Sequence, residues 1–546
     1  MRFWPPLPKS SSESGGLHPL VWKITAVAVL GSFLAQLDAT IVNVSLSSLA
    51  VDLHSSLTAI QWVTSGYLLA LALMLPLNGW LVERIGAKSL YLWCFSVFTL
   101  SSALCGLAWS ANSLIAFRIL QGMSGGLMAP MTQMMMARAA GKHMARIMGY
   151  AAVPILMGPI LGPVIAGAIL QHASWRWLFL VNLPVGVLAI VLAALFLPKD
   201  GEEIRSRELD LPGLALLSPG LVLFLYGSDH LGERTGLTTL LISIVLLAAF
   251  FRMAIRKGDK ALIDLQLFKR KTFSASATTQ FMSNGISFAG QMLIPIYLIR
   301  ACGQSPSATG WLLAPLGVGM ICSYPWIGAL TQRFGIRKVS AGGAFLAFAA
   351  TLPFLYLASH GLVVTVLAGA LFARGIGLSA VGIPSISAAY ASVRKQDLPM
   401  ATTSLNIVQR LGGPTLTTLC ATFLGWRMGM AQSSSGLSGA FTAAFVLLCG
   451  LHALLFAAAL RLPFSIDKAM EPPVSEEPSP WSAARSPSSD AEPGSSTFAC
   501  GNTAQQSQCA DAGGIPILAG FQVVADIPEG AIVTRIERRR SVIPPS

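Results

Sequence analysis

Apolar runs of about twenty residues, each closed by a short polar or Gly/Pro-containing loop, recur along most of this chain. A run of that length crosses a hydrocarbon layer about 30 Å thick as one helix. In lipid the backbone has to satisfy its own hydrogen bonds, so the fold class expected is an all-α membrane protein. Only 11% of the 546 residues are charged, well under the roughly 25% of a soluble domain. Fourteen spans are predicted: 22–46, 60–82, 89–109, 111–136, 145–170, 177–197, 209–229, 236–256, 273–299, 305–330, 338–358, 362–390, 402–426 and 438–461. Charge tests the count. With a cytoplasmic N-terminus, the inside loops hold Arg84 and Lys88, Arg138 to Arg146, Lys199 to Arg207, Arg252 to Lys271, Arg333 to Lys338, and Arg394 with Lys395. The outside loops hold only Arg176, Arg234, Arg300 and Arg427. The asymmetry alternates at every loop, so both termini are expected in the cytoplasm and the protein is expected to be a multi-pass protein of the cell (inner) membrane.

The net charge of +13 therefore reads as topology, and nucleic acid is not an expected partner. The eight cysteines form no CxxC pair, and six lie in or beside apolar runs, where a thiol behaves as a small hydrophobe. No disulfide framework, metal site or cofactor is indicated. There is no GxxxxGK[ST] loop, nucleophile triad or metal cluster, so neither ATP-driven pumping nor an enzyme is expected. Residues 1–21 read as a polar N-terminal segment preceding a retained first span, and residues 462–546, rich in Pro, Ser and acid at their start, as a disordered cytoplasmic tail with no assigned role.

The chain repeats itself. "GWLVERIGAKS" (79–89) follows the second span and "GALTQRFGIRK" (328–338) the tenth; "FRILQGMSGG" (117–126) has a weaker echo in "FARGIGLSA" (372–380). Gly79 and Gly328 lie 249 residues apart, Gly122 and Gly375 253. Two six-helix halves, 22–197 and 261–461, joined by two additional helices within 198–260, would produce this. Parallel repeats of that kind point to a transporter with its substrate near the midplane between the halves.

One residue does not belong in oil. Asp38 sits inside the first span, sixteen residues after Trp22, about 24 Å along a helix. Arg118 lies seven residues into the fourth span, about 10 Å below the outer face. The two depths agree within about one turn, and mutual pairing is the cheapest explanation for both. Two readings stand. The pair locks spans one and four together, or Asp38 titrates: removal from water favours the neutral acid, a close guanidinium favours the carboxylate, and their separation decides. Gln121, one turn on, and Asn43 could hydrogen-bond either partner. No other carboxylate lies deep in a span, which favours a monocationic, neutral or weakly acidic amphiphile as cargo. Arg374 and Arg410 are further buried cations; backbone carbonyls or an anionic substrate could serve them. Met131, Met134, Met135 and Met136 read as packing or lipid-facing filler, and His452 as a packed histidine.

Taken together, these stretches resemble the fourteen-spanner drug:proton antiporter branch of the major facilitator superfamily, over about residues 20–465. "LDATIVNVSL" (37–46) is similar to its first-helix motif, "GWLVERIGAKS" to the superfamily loop motif, and "LIAFRILQGMSGG" (114–126) to its fourth-helix motif. "GPILGPVIAG" (158–167) is similar to the fifth-helix antiporter motif, "WRWLFLVNLPVG" (175–186) to the start of helix six, and "SLNIVQRLGG" (404–413) to helix thirteen. The chain departs from the pattern with Glu83 for Asp, Ala87 for a basic residue, Gln332 at the acid position of the second loop copy, and Ala166 for Gly.

The resemblance implies the major facilitator fold and export of small amphiphilic compounds or drugs by alternating access, in exchange for protons. It gives Arg118 a part in proton transfer beside Asp38 and Gln121. Gly158, Pro159, Gly162, Pro163 and Gly167 become a hinge expected at the interface between halves, sealing against proton leak. Gly79, Glu83, Arg84 and Gly86, with Gly328, Arg333 and Gly335, read as a charge latch or as simple topogenic turns. A periplasmic adaptor protein is carried as a candidate partner beside lipid, protons and substrate. Uptake of a small metabolite by proton symport, and a non-transporting membrane sensor or scaffold, are the competing functions.

Overall fold

The computed structural model describes residues 19–200, 208–430 and 434–464. The expectations for the first eighteen residues and for the tail beyond 464 lie outside the described residues. What is described is helical, with no strand among the described residues. The long helices are α1 (Pro19–Ile41), α2 (Thr58–Ile85), α3 (Ala87–Gly106), α4 (Ala111–Ala140), α5 (Met144–His172), α6 (Trp177–Phe196) and α7 (Leu211–Asp229). They continue with α8 (Arg234–Lys257), α9 (Lys271–Arg300), α10 (Ala308–Phe334), α11 (Ile336–His360), α12 (Val364–Ala391), α13 (Leu398–Gly429) and α14 (Leu437–Leu460).

Twelve of these are long and apolar enough to cross a membrane, two fewer than the fourteen expected from the sequence. The two that fall short, α4 and α13, are 30 and 32 residues long. Length is not their deficit. They carry buried polar side chains, among them Arg118, Gln121 and Thr132 on α4 and Thr402, Asn406 and Gln409 on α13.

Local chemistry sets the ends. Ser56 accepts a hydrogen bond from the Ala59 N–H near the start of α2, and Ser110 opens α4 with a reciprocal cap to Ser113. Such caps satisfy donors that the first helical turn leaves unpaired. Gly86 and Gly335, with φ of 88° and 86°, close α2 and α10 and let α3 and α11 begin at the next residue. Positive φ at these two turns favours glycine. Past Ile41 the first span continues through a 3-10 turn, Val42–Ser45, into a short helix, Leu46–Asp52.

The packing has a repeat of its own. α1 lies on α4 and α5, α2 on α4, and α3 on α4 and α6; later in the chain, α9 lies on α12 and α13, α10 on α12, and α11 on α12 and α14. Close approaches recur at matched places. A Cβ at Gly122 would overlap the Tyr67 carbonyl, and one at Gly375 the Leu316 carbonyl; Tyr67 and Leu316 each lie twelve residues before Gly79 and Gly328. α7 and α8 pack on each other, with α7 also touching α2 and α13. α8 exposes Leu237, Leu241, Ile242, Ile244 and Val245, the surface a lipid-facing helix needs.

The first and second sets of helices meet at the end that carries the basic loops. Gly79 rests on Pro399, Met400 and Thr403 of α13, while Gly328 rests on the Arg146 backbone of α5 and Gly149 on the Tyr324 carbonyl of α10. Asn78 Nδ2 donates to Thr403 Oγ1 at 3.2 Å. Gln133 Oε1 accepts from Tyr390 OH at 2.6 Å and from Asn406 Nδ2 at 2.8 Å.

Candidate functional site

Asp38 is fully buried near the end of α1, and two other helices aim three donors at it. Arg118 Nη1 of α4 donates to Oδ2 at 2.6 Å. Gln121 Nε2, one turn further along α4, donates to Oδ1 at 3.0 Å, and Asn182 Nδ2 of α6 donates to the same oxygen at 2.8 Å. Both amides also donate to Ser102 Oγ of α3 at 3.1 Å, and the Ser102 hydroxyl donates to the Phe179 carbonyl at 3.0 Å. Three side-chain donors thus converge on the two carboxylate oxygens.

Arg118 is held as firmly. Its Nε donates to the Val63 carbonyl at 3.2 Å and its Nη1 also reaches Gln121 Oε1 at 2.8 Å. The guanidinium lies 4.1 Å from the Tyr67 ring centre and 5.7 Å from that of Phe179. Nη2 has no hydrogen-bond acceptor, so the aromatic faces are its company.

The expected trio of Asp38, Arg118 and Gln121 is thus one cluster, while Asn43 is elsewhere. It sits in the 3-10 turn after α1 and accepts from Thr64 Oγ1 of α2 at 3.3 Å. Sequence reasoning missed Asn182, Ser102 and Tyr67. Asn182 stands out only as an amide between the apolar stretch 177–181 and Leu183. Nothing local marks Ser102 or Tyr67.

The Gly-Pro stretch on α5 does not lie where it was expected. Gly158 packs against Phe33, Gln36 and Leu37, and Gly162 against Thr40 and Ile41, so both glycines face α1 on either side of Asp38 rather than the seam with the later helices. At the seam it is Gly149, about two and a half turns from Gly158 toward the basic end, that touches α10. α5 runs as one helix through Pro154, Pro159 and Pro163. Gly167 has no close neighbour. The glycines therefore let α1 and α5 approach closely on either side of Asp38.

At the basic end, Glu83 is buried and Arg84 exposed. Lys88 and Ser89, at the end of the loop stretch, tie it to the end of α6. Asp200, three residues past Leu197, accepts from the Lys88 N–H at 2.8 Å and from the Ser89 N–H and Oγ at 2.8 and 2.6 Å, capping α3. Lys88 Nζ returns the contact to the Ala194 and Leu197 carbonyls at the end of α6, at 2.7 and 2.9 Å. In the second copy Arg337, nine residues after Gly328 as Lys88 is after Gly79, donates from Nε to the Leu462 carbonyl at 2.7 Å beyond the end of α14. The Phe464 carbonyl accepts from the Ile336 N–H at 3.1 Å. Arg333 is exposed, over the Phe334 ring. A cavity of about 1010 Å³ opens at this end, bordered by Glu83, Lys88, Asp200 and Arg394 among others.

Arg374 and Arg410 separate on inspection. Arg374 is fully buried on α12, donates from Nη2 to the Ile286 carbonyl of α9 at 3.1 Å, and fills the space a Cβ at Gly290 would need. Arg410 on α13 is half-buried and makes no hydrogen bond or ion pair among the described residues. The methionines at 131, 134, 135 and 136 are buried in the core of the first helices, and His452 Nδ1 meets the Leu448 carbonyl at 2.8 Å.

A helical chain with many apolar spans, seams closed at one end and an ion pair sequestered among four helices is a multi-pass membrane transport protein. The sequence profile described as the Major Facilitator Superfamily matches residues 28–413, and the chain belongs to that family. It is a transporter and not an enzyme. It is 33% identical over 419 residues to a multidrug resistance protein B homolog of Mycobacterium tuberculosis, covering 75% of this chain and 77% of that protein. Among solved structures, it superposes with a TM-score of 0.56 on the human organic anion transporter MFSD10, at 17% identity over 81% of this chain and all of that one. The same score relates it to the proton:xylose symporter XylE at 14% identity, over 84% of this chain and all of that one. At such identities the likeness is one of fold.

Proposed function

We propose that this protein is a proton-coupled exporter of small amphiphilic compounds, working by alternating access, and that Asp38 is its proton-carrying group. The reading rests on one observation: a carboxylate with no solvent contact, 2.6 Å from a guanidinium and fixed by two amides from α4 and α6. In the ionised state those donors lock α1, α4 and α6 together. Protonation of Asp38 removes the charge that holds Arg118 and weakens the charge-assisted bonds. A movement of α1 against α4 would then be linked to proton uptake and release. Alternating access would require the contacts at the basic end, through Gly79, Gly328 and Gln133, to form in one state and part in another.

The repeated packing supports two six-helix halves, 22–197 and 261–461, with α7 and α8 as the additional pair and fourteen spans in all once the polar α4 and α13 are included. Positive charge on the loops of one end supports cytoplasmic termini and an inner-membrane location. The Lys88–Asp200 cross-cap and its Arg337 counterpart support a latch role for the repeated loop. A periplasmic adaptor remains a partner to be sought by co-purification.

The test is made in inside-out vesicles carrying a preformed proton gradient. Addition of an amphiphilic substrate dissipates the gradient for an antiporter. A symporter moves proton and substrate the same way, and a scaffold leaves the gradient unchanged; either result sinks the proposal.

A further inference from the structure

Building on the exporter reading, we propose that Arg410 is the residue that selects the substrate, and that the substrates it selects are amphiphilic anions: an apolar body bearing a carboxylate, sulfonate or phosphate. Arg410 lies one helical turn beyond Asn406 on α13, so the two share a face. Asn406 already reaches Gln133 across the seam, at 2.8 Å. Arg410 therefore sits on the seam just past the closed contacts, on the side away from the basic end.

Its surroundings supply no counter-charge. Asp38, the deep acid, is already engaged by Arg118, Gln121 and Asn182. Asp229, further out on α7, is exposed beside His230. Arg410 borders a closed crevice of about 10 Å³ walled by Ala72, Leu75, Leu221, Leu225, Ile407 and Leu411, so the side chains packed beside it are apolar and offer no counter-charge. A membrane cation without a partner is costly and marks a ligand path by default. Arg374 shows the alternative solution, a guanidinium sealed against a carbonyl and a glycine. Arg410 has kept its donors unspent, and a planar fork of donors fits an oxyanion bidentately.

The experiment uses the full-length protein in detergent with three probes that share one apolar body: 1-pyrenebutyrate, 1-pyrenebutanol and 1-pyrenebutyltrimethylammonium. Saturable binding is read by fluorescence anisotropy with no proton gradient present. The wild type is expected to prefer the butyrate over the butanol by about tenfold or more. Arg410→Gln should abolish that preference and leave butanol binding unchanged, while Arg410→Lys should keep part of it. Leu225→Asp, which offers Arg410 an internal partner, should weaken butyrate binding by about tenfold. Equal binding of the three probes by the wild type, preference for the ammonium probe, or butyrate binding untouched by both Arg410→Gln and Leu225→Asp would overturn the assignment. Because binding is read at equilibrium, failure of proton exchange in vesicles leaves this result standing, and failure here leaves proton exchange untouched.

Discussion

Replacing Asp38 with Asn removes one charge and almost no volume, yet it should be among the more damaging single changes in the protein. The carboxylate accepts from Arg118 on Oδ2 and from Gln121 and Asn182 on Oδ1. An amide has a single acceptor oxygen. If that oxygen faces Arg118, the new NH2 meets two donors; if it faces Gln121 and Asn182, the new NH2 meets the guanidinium. Gln121 cannot flip to help, because its Oε1 already accepts from Arg118 Nη1 at 2.8 Å. Arg118 is left fully buried with a neutral neighbour, and breaking a buried pair from one side costs about 3–5 kcal/mol. The protein should still insert, since the apolar content of α1 is unchanged. Thermal unfolding of the detergent-purified variant measures the cost. The double variant Asp38→Asn with Arg118→Gln, which leaves no buried charge, should recover most of the loss. A single variant within about 0.5 kcal/mol of wild type, or a double variant no better than the single, would refute the reasoning, since coupled neighbours are expected to be non-additive. In vesicles the single variant should lose proton coupling, and coupled export surviving in it would defeat the role given to Asp38.

Three further expectations follow from particular contacts. Asp200→Ala takes away the cap on three donors at the start of α3 and should lower unfolding stability by about 1–2 kcal/mol, measured as a shift in the thermal midpoint. Gly162→Val drives a side chain into Thr40 and should abolish transport with expression retained, whereas Gly167→Ala, with open space around it, should transport as wild type. Asp210 lies just outside α7. Burial works against its charge, but Lys257 and the N–H groups of Gly213 and Leu262 outweigh it and hold the carboxyl below the usual carboxylate range. Its contribution to stability is therefore present above about pH 4 and lost as pH falls through the lowered folded-state value. The thermal midpoint of Asp210→Asn should accordingly approach that of wild type in strong acid and lie below it at neutral pH.

What the amino-acid sequence determined by itself is the set of properties that depend on order along one helix. Hydropathy fixed at about twenty residues per run dictates helices, because oil offers the backbone no other partner. The alternation of Arg and Lys between loops carries an expectation of their direction. Depth alone was enough to bring Asp38 and Arg118 together, since each residue advances a helix by a constant rise and two lone charges in lipid need each other. The matched Gly-Arg-Gly loops announced the repeat. What only the tertiary structure decided is everything that depends on how one helix is rotated against another. Asn182 and Ser102 became ligands of the carboxylate because α6 and α3 turn those faces inward. Gly158 and Gly162 came to face α1, and not the seam, for the same reason. Arg374 found a carbonyl while Arg410 did not, although both are lone arginines in apolar runs. Rotation is set by the close packing of many side chains at once, and no spacing along a single helix carries that information.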